Sequence, residues 1–349
     1  MDKIRVGIVG LGGNCHLQHV PGLRRCQGVE ITGVVNRRAE STRAAAEKYG
    51  IPKTYDHWEQ LVTDSDIDAV VIGTWPYLHC PITLAGLEAG KHVLTEARMA
   101  ASAVEARKMY AASQQHPELV TQIVPSPFGF SGLNVIREMV EAGFLGELRE
   151  VAALSVNHFL ADKETPLHWR QIREFSGVNV LSLGILYEAV SRWVPAAERV
   201  LAQTQTFTSR RLNTETNEMA EAEIPDSVQV LGELPGGARS IYHVSGAIHH
   251  GPGDQIHLYG SEGTIKYLVS PEDRIFAASQ GDSELREVTI PPEKKYSWRV
   301  EEDFIDAIRG EGEIRLTDFA TGVAYMEFTE AVAESAASGA SVEVSGCGT

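Results

Sequence analysis

The chain has 349 residues, of which 43% are hydrophobic and 22% charged, with a formal net charge of −16. This is about two domains of ordinary globular composition, and the acidic balance excludes a nucleic-acid partner, which needs a basic stripe. No segment reaches the roughly 18 uninterrupted apolar residues of a membrane span, so no membrane association is expected.

Met1-Asp2-Lys3 leads straight into a strand at Ile4 without the design of a secretory leader, and a cytoplasmic location is the expectation. Cys15, Cys26, Cys80 and Cys347 lie far apart, with no CxxC pair and no histidine cluster at ligand spacing. Free thiols and no metal are expected.

In chain order, the pattern predicts a strand at 4–9, a helix at 17–26, a strand at 29–35 and a helix at 39–49. Strands at 69–72, 92–94 and 119–124 follow, interleaved with helices at 81–89 and 102–115. Apolar strands alternating with helices of this length imply an α/β unit, a parallel sheet with helices on both faces.

The rhythm changes at Pro125-Ser126-Pro127. A helix at 131–142 precedes longer strands at 148–157, 197–208, 227–234 and 239–248, the last two joined by a Pro-Gly-Gly hairpin turn at 235–237. Another hairpin spans 256–268, and helices at 298–308 and 318–335 precede a closing strand near 342–344. The acidic stretch 213–223 reads as an exposed connection. Two domains result, 1–124 and 125–349, the second an α+β unit with a large, mostly antiparallel open sheet.

The stretch VGIVGLGGNC places Gly10, Gly12 and Cys15 at the three positions of a G-x-G-x-x-G/A fingerprint, between the first strand and the first helix. That context favours dinucleotide binding, with Gly10 making the tight turn and Gly12 admitting a pyrophosphate at the helix start. Cys15 is small enough for the helix still to pack. The second strand ends in Asn36-Arg37-Arg38 where an NAD site usually has a carboxylate. Two guanidiniums without an acid favour NADP(H) over NAD(H). The alternative is a pair of solvated arginines with Asn36 on a ribose hydroxyl.

With these features in hand, the chain resembles the glucose–fructose oxidoreductase/inositol dehydrogenase (Gfo/Idh/MocA) family almost end to end. The stretches GLGGNCHLQHVPGL, DIDAVVIGTWPYLHCPITLAGLEAGKHVLTEA, HLYGSEGTIKY and the C-terminal helices from EEDFIDAIRGE onward carry the similarity. The resemblance implies a Rossmann domain, then a domain whose open sheet walls the substrate cleft and commonly joins subunits as a homodimer or homotetramer. It implies hydride transfer on a small sugar, glycoside or polyol. It also places Gly13 and Asn14, then Thr74, Trp75 and His79, then Glu96 and Ala97 at the cofactor.

Two departures stand out against that family. Its Glu-Lys-Pro turn reads Glu96-Ala97-Arg98 here, so a methyl group replaces the lysine; Arg98 can anchor an anion but is a poor base. Its second-domain aspartate and histidine align with Ser182 and Leu186. Tyr187 and Glu188 follow directly and become candidates for proton transfer, although both could equally be structural. His168 is a further acid/base candidate, and His158, Trp169 and Arg170 are candidate substrate contacts that could also simply fix a loop. Trp75-Pro76 and residues 125–128 suggest a bulkier or more apolar substrate than a free hexose.

Three functions are compatible with this pattern: an oxidoreductase with an atypical proton relay, a redox-neutral lyase or glycosidase acting through a transient keto-sugar, and a non-catalytic cofactor-binding sensor or partner.

Overall fold

A computed structural model describes residues 3–345; Cys347 lies outside the described residues. The chain divides into two compact units, one running to Pro125 and including Arg299–Met326, the other covering Ser126–Trp298 and the chain from Glu327 onward.

The first unit holds a six-stranded parallel sheet of β1 (Ile4–Val9), β2 (Val29–Val35), β3 (Lys53–Thr54), β4 (Ala69–Ile72), β5 (His92–Thr95) and β6 (Thr121–Ile123). Its order is β3-β2-β1-β4-β5-β6, so the chain reverses direction across the sheet between β1 and β4, which opens a crevice at their carboxyl ends. Residues of β1 and β4 are nearly all buried, as expected for strands covered on both faces. The helices are α1 (Val20–Arg25, entered through a π turn at Cys15–His19), α2 (Ala39–Tyr49), α3 (Trp58–Thr63), α4 (His79–Glu88) and α5 (Ala103–Gln115).

The second unit opens with α6 (Leu133–Glu141), β7 (Leu148–Val156), α7 (Arg173–Ser176) and α8 (Leu183–Val190). Then come β8 (Arg199–Gln205), β9 (Arg210–Asn213), β10 (Glu218–Glu221), β11 (Ser227–Glu233), β12 (Arg239–Ser245), β13 (Gly253–Gly260), β14 (Gly263–Ser270), β15 (Arg274–Ser279) and β16 (Arg286–Val288). After α9 (Val300–Ile308) and α10 (Phe319–Ser338), β17 (Val342–Glu343) returns to pair with β8. Nine of these strands form one sheet, antiparallel except where β12 runs parallel to β7. Gly236 takes φ 76° in the 235–237 turn between β11 and β12.

Three expectations change. The division at residue 124 misses that 299–326 belongs to the first unit, where Glu301 of α9 bonds to His19. The acidic stretch 213–223 is not a plain connection, because β10 pairs with β9. The short β3, α3 and β15 and the edge strand β16 span too few residues for periodicity to reveal them.

Candidate functional site

The glycine turn is built by what surrounds it. Gly10 adopts φ 81°, and a side chain there would overlap Thr74 and the backbone of Gly73. Its N–H donates to Val35 O at 2.8 Å, and the N–H of Leu11 donates to Asn36 Oδ1 at 2.6 Å. The Cys15 thiol is buried, donates to Gly10 O at 3.5 Å, and lies where a side chain on Gly73 would collide with it. The glycine missing at position 15 is thus compensated at position 73. Burial pushes the Cys15 thiol far above the ordinary range, so it is packing and not a nucleophile.

Beside this turn lies a cavity of about 440 Å³ lined by Gly10, Gly12, Asn36, Arg37, Thr74 and Trp75, among others. Gly12 and Gly13 are exposed, with nothing within 3.5 Å of the space a side chain would fill. The Thr74 hydroxyl is buried with no hydrogen-bond partner among the described residues. An open glycine cradle and an unsatisfied hydroxyl in one cavity fit a dinucleotide. The Arg37 guanidinium stands 5.4 Å from the Trp75 ring centroid. Asn36 is committed elsewhere: its oxygen holds Leu11 and its Nδ2 donates to Ser41 O at 3.1 Å. It braces the glycine turn from the wall of the cavity.

His79 is also reassigned. It is fully buried, with Nδ1 2.7 Å from Arg98 O and Nε2 2.9 Å from Thr74 O. Both nitrogens are used by carbonyls, so His79 ties the turn after β4 to the turn after β5 and cannot touch a cofactor. Burial pulls its pKa down, against the pull of both carbonyls. Arg98 is only 2% exposed, which removes it as an anchor for a soluble anion; the Ala97–Arg98 peptide is cis.

Glu96 is the hub of the fifth-strand turn. Its Oε1 accepts from Asn14 Nδ2 at 2.5 Å and lies 2.9 Å from His19 Nε2, while His19 Nδ1 lies 2.5 Å from Glu301 Oε1. His19 and Glu301 are fully buried, and Gly22 leaves the space that Glu301 fills. Burial alone would depress the imidazole, but the two carboxylates overcome it and lift His19 to about 9. Burial would raise Glu96, yet His19 and Asn14 hold its pKa below the ordinary carboxylate value. Glu96 is a fixed anion, not a base. Nothing in the sequence linked His19 to Glu301, 282 positions away.

In the second unit, two proton-transfer candidates are structural. The Tyr187 ring stacks on Phe328 with centroids 3.7 Å apart and planes 9° from parallel, and its hydroxyl accepts from the Ala197 N–H at 3.0 Å. At 3% exposure it is core. Glu188 is equally buried, paired with Arg192 at 2.6 Å and accepting the Ser126 N–H at 2.9 Å.

His168 accepts the Arg170 N–H through Nδ1 at 3.2 Å, which in the neutral ring puts the proton on Nε2. Burial, then Arg170, lowers its pKa to about 4. The ring is therefore neutral at neutral pH, a hydrogen-bond donor through Nε2 and a weak base.

Around His168 the structure gathers an aromatic surface. Phe159, which the sequence reading passed over, is 51% exposed and meets His168 edge-on at 5.0 Å. Arg170 lies 4.3 Å over the Trp169 ring, and exposed His158 stacks with His249 at 6.0 Å. The loop holding them is pinned by buried Arg211, whose guanidinium donates to the carbonyls of Leu160, Asp162 and Thr165.

Comparison with known proteins agrees with this anatomy. Residues 4–123 match the oxidoreductase family with an NAD-binding Rossmann fold, and residues 133–266 match the GFO/IDH/MocA C-terminal domain. The levoglucosan dehydrogenase of Pseudarthrobacter phenanthrenivorans is 23% identical across 99% of both chains. The mouse trans-1,2-dihydrobenzene-1,2-diol dehydrogenase is 27% identical over 62% of this chain and 60% of its own length. Among solved structures, a levoglucosan dehydrogenase in complex with NADH and L-sorbose superposes with a TM-score of 0.87 over 99% of each chain at 22% identity, a likeness of fold. The glycine cradle on a β3-β2-β1-β4-β5-β6 parallel sheet, the nine-stranded second sheet and these two domain matches together make the chain a member of the Gfo/Idh/MocA oxidoreductase family.

Proposed function

We propose that this protein is a nicotinamide-dependent oxidoreductase that prefers NADP(H) and acts on a hydroxyl of a sugar- or polyol-like substrate. When bound, the dinucleotide supplies the hydride acceptor or donor. The backbone of Gly10–Gly13 would receive its pyrophosphate, and Arg37 beside Trp75 would receive a 2′-phosphate.

The observation that carries the cofactor preference is Asn36. Its oxygen holds the Leu11 N–H, so the end of β2 offers the ribose an amide in place of a carboxylate while the Arg37 guanidinium stands in the same cavity, whose wall also includes Asp56. Support for the substrate class comes from the aromatic and histidine side chains of the 157–170 loop, a surface suited to C–H faces and hydroxyls, and from the dehydrogenases named above.

Calorimetric titration checks the cofactor: NADP⁺ should bind about 10- to 100-fold tighter than NAD⁺, and Arg37→Ala should erase most of that gap while leaving NAD⁺ unchanged. Equal affinities in the unaltered protein would overturn the preference. A panel containing levoglucosan and inositol, followed by both nicotinamide absorbance and product analysis, checks the reaction. Product with matching absorbance is expected; product without it points to redox-neutral chemistry.

We also assign subunit association to the open face of the second sheet. Leu231 lies opposite Leu201 and Ile241 in register, and the three are 58%, 41% and 47% exposed. Sedimentation should show a dimer or tetramer that Leu231→Glu dissociates; an unaltered oligomer, or a monomeric parent, would refute this.

A further inference from the structure

Three side chains of the second unit form a directed line of hydrogen bonds. Ser182, at the residue before α8, donates from Oγ to Ser155 Oγ at 2.9 Å, and Ser155 donates to Asp254 Oδ1 at 2.7 Å. Ser155 is 2% exposed, whereas Ser182 and Asp254 are half-buried. The orientation matters. Each hydroxyl spends its proton on the next member inward, which leaves the lone pairs of Ser182 Oγ to accept a hydrogen bond from outside the line.

The line lies at the end of the sheet where the candidate substrate residues gather. Asp254 at the start of β13 faces Ser155 near the end of β7. The start of α8 and the loop after β7 meet at Gly246, where Leu181 and Leu160 both close on its backbone and the Leu160 N–H donates to Gly246 O at 2.7 Å. The same loop carries His158 and Phe159. Tyr187 and Glu188 being occupied as described, this line is an arrangement in the second unit that can take a proton from a hydroxyl.

We propose that Ser182, Ser155 and Asp254 form the proton exit of the reaction, with Ser182 the catalytic residue that touches the substrate hydroxyl and Ser155 and Asp254 positioning residues behind it. This rests on the oxidoreductase reading given above. In the oxidation direction a bound oxidised nicotinamide would supply the acceptor for the carbinol C–H electron pair, which leaves as hydride while the C–O bond becomes C=O. The hydroxyl proton passes to Ser182 Oγ, the Ser182 proton to Ser155 Oγ, and the Ser155 proton to the Asp254 carboxylate, which ends as a neutral acid. Reduction runs the same transfers backward.

The surroundings of Asp254 suit the role. Burial lifts its pKa above the ordinary value, opposed only by the Ser155 hydrogen bond. Opposite it stand Ser155 on β7 and Ser270 on β14, neither titratable. The charged groups of those elements are engaged or distant: Glu188 of α8 with Arg192, Lys266 of β14 over Tyr259, and Arg149 and Glu150 at the far end of β7. On its own strand His257 bonds to Tyr259 and Gln255. His249, which precedes β13, stacks with His158, and His250 lies tilted beside His249.

Two measurements test the proposal. In the dinucleotide-loaded protein, with whichever panel alcohol it oxidises, Asp254→Asn should lower the hydride-transfer rate about 100-fold or more. It should also abolish the acid limb of the rate–pH profile, while dinucleotide affinity stays unchanged. Ser182→Ala and Ser155→Ala should act in the same direction, and Asp254→Glu should restore part of the rate and the acid limb. The second readout needs no turnover: carbon-13 NMR of aspartate-labelled protein, with Asp254 identified by its loss in Asp254→Asn, should show a carboxyl titrating above the ordinary aspartate range. Ser155→Ala should shift that titration further up.

An unchanged rate and pH profile in Asp254→Asn would overturn the exit with the oxidoreductase reading intact. If no panel alcohol is oxidised, that reading fails on its own account. The NMR arm then still decides the line, since a titration in the ordinary range or unmoved by Ser155→Ala would refute it.

Discussion

Glu96 and Asp254 are both sheltered carboxylates held by neighbouring side chains, yet they are built for opposite ends. Glu96 is bonded by an imidazole and an amide, and the imidazole is itself gripped by a second carboxylate, Glu301. Those partners favour the anion strongly enough to beat burial, and its pKa falls. Asp254 is bonded by a single neutral hydroxyl, so burial prevails and its pKa rises. What the contrast teaches is that a carboxylate's partner, more than its degree of burial, decides whether it is locked as a charge or ready to receive a proton. The first unit uses the locked kind to fasten the glycine loop to the turn after β5. The second uses the receptive kind.

The sharpest way to break this contrast is to remove the cation from the first cluster. His19→Leu would leave Glu96 and Glu301 buried without their shared partner, at a cost of about 3–5 kcal/mol in urea unfolding. Replacing His19 and Glu301 together by leucine should recover much of that loss, because uncompensated burial is what destabilises. Equal stability of the parent and His19→Leu would mean the cluster is not charged.

A milder perturbation is pH. The folded pKa of His19, about 9, lies above its ordinary 6.5. Its contribution is therefore fully present below about pH 6.5 and lost as pH rises towards 9, by about 3 kcal/mol. Glu96 works in the other direction, its contribution being present above the ordinary carboxylate range and lost on acidification. Urea midpoints should therefore peak between about pH 5 and 6.5, and the decline on the alkaline side should be absent from His19→Leu.

The smallest effect is expected where the second unit is merely packed. Tyr187→Phe removes one hydroxyl that accepts one backbone N–H, worth about 1 kcal/mol of stability, and should leave turnover in place.

The parts of this anatomy legible in the sequence were those encoded by neighbours along the chain. Gly10, Gly12 and the strand before them announce the dinucleotide turn, and the Pro-Gly-Gly of 235–237 announces its hairpin. The absence of lysine at Ala97 was equally plain. What stayed hidden depends on side chains brought together from afar: Ser155 and Asp254 are 99 positions apart, His19 and Glu301 farther still.

Helix α8 misled for a different reason. All its residues but Ile185 are buried, so no polar face distinguishes a residue aimed at a substrate from one aimed at the core. Tyr187 and Glu188 carry the right chemistry on the wrong side, whereas Ser182, at the helix cap, had only been noted as a lost aspartate. Asn36 shows a third limit: its identity was readable, but the hydrogen bond that commits it to Leu11 was not.

The account turns on where the proton goes, and one measurement addresses that most directly: the pH dependence of the hydride-transfer rate in the parent, Asp254→Asn and Tyr187→Phe proteins, recorded side by side. The account predicts an acid limb in the parent, the same limb in Tyr187→Phe, and a low, flat profile in Asp254→Asn. A limb that persists in Asp254→Asn and vanishes in Tyr187→Phe would contradict it.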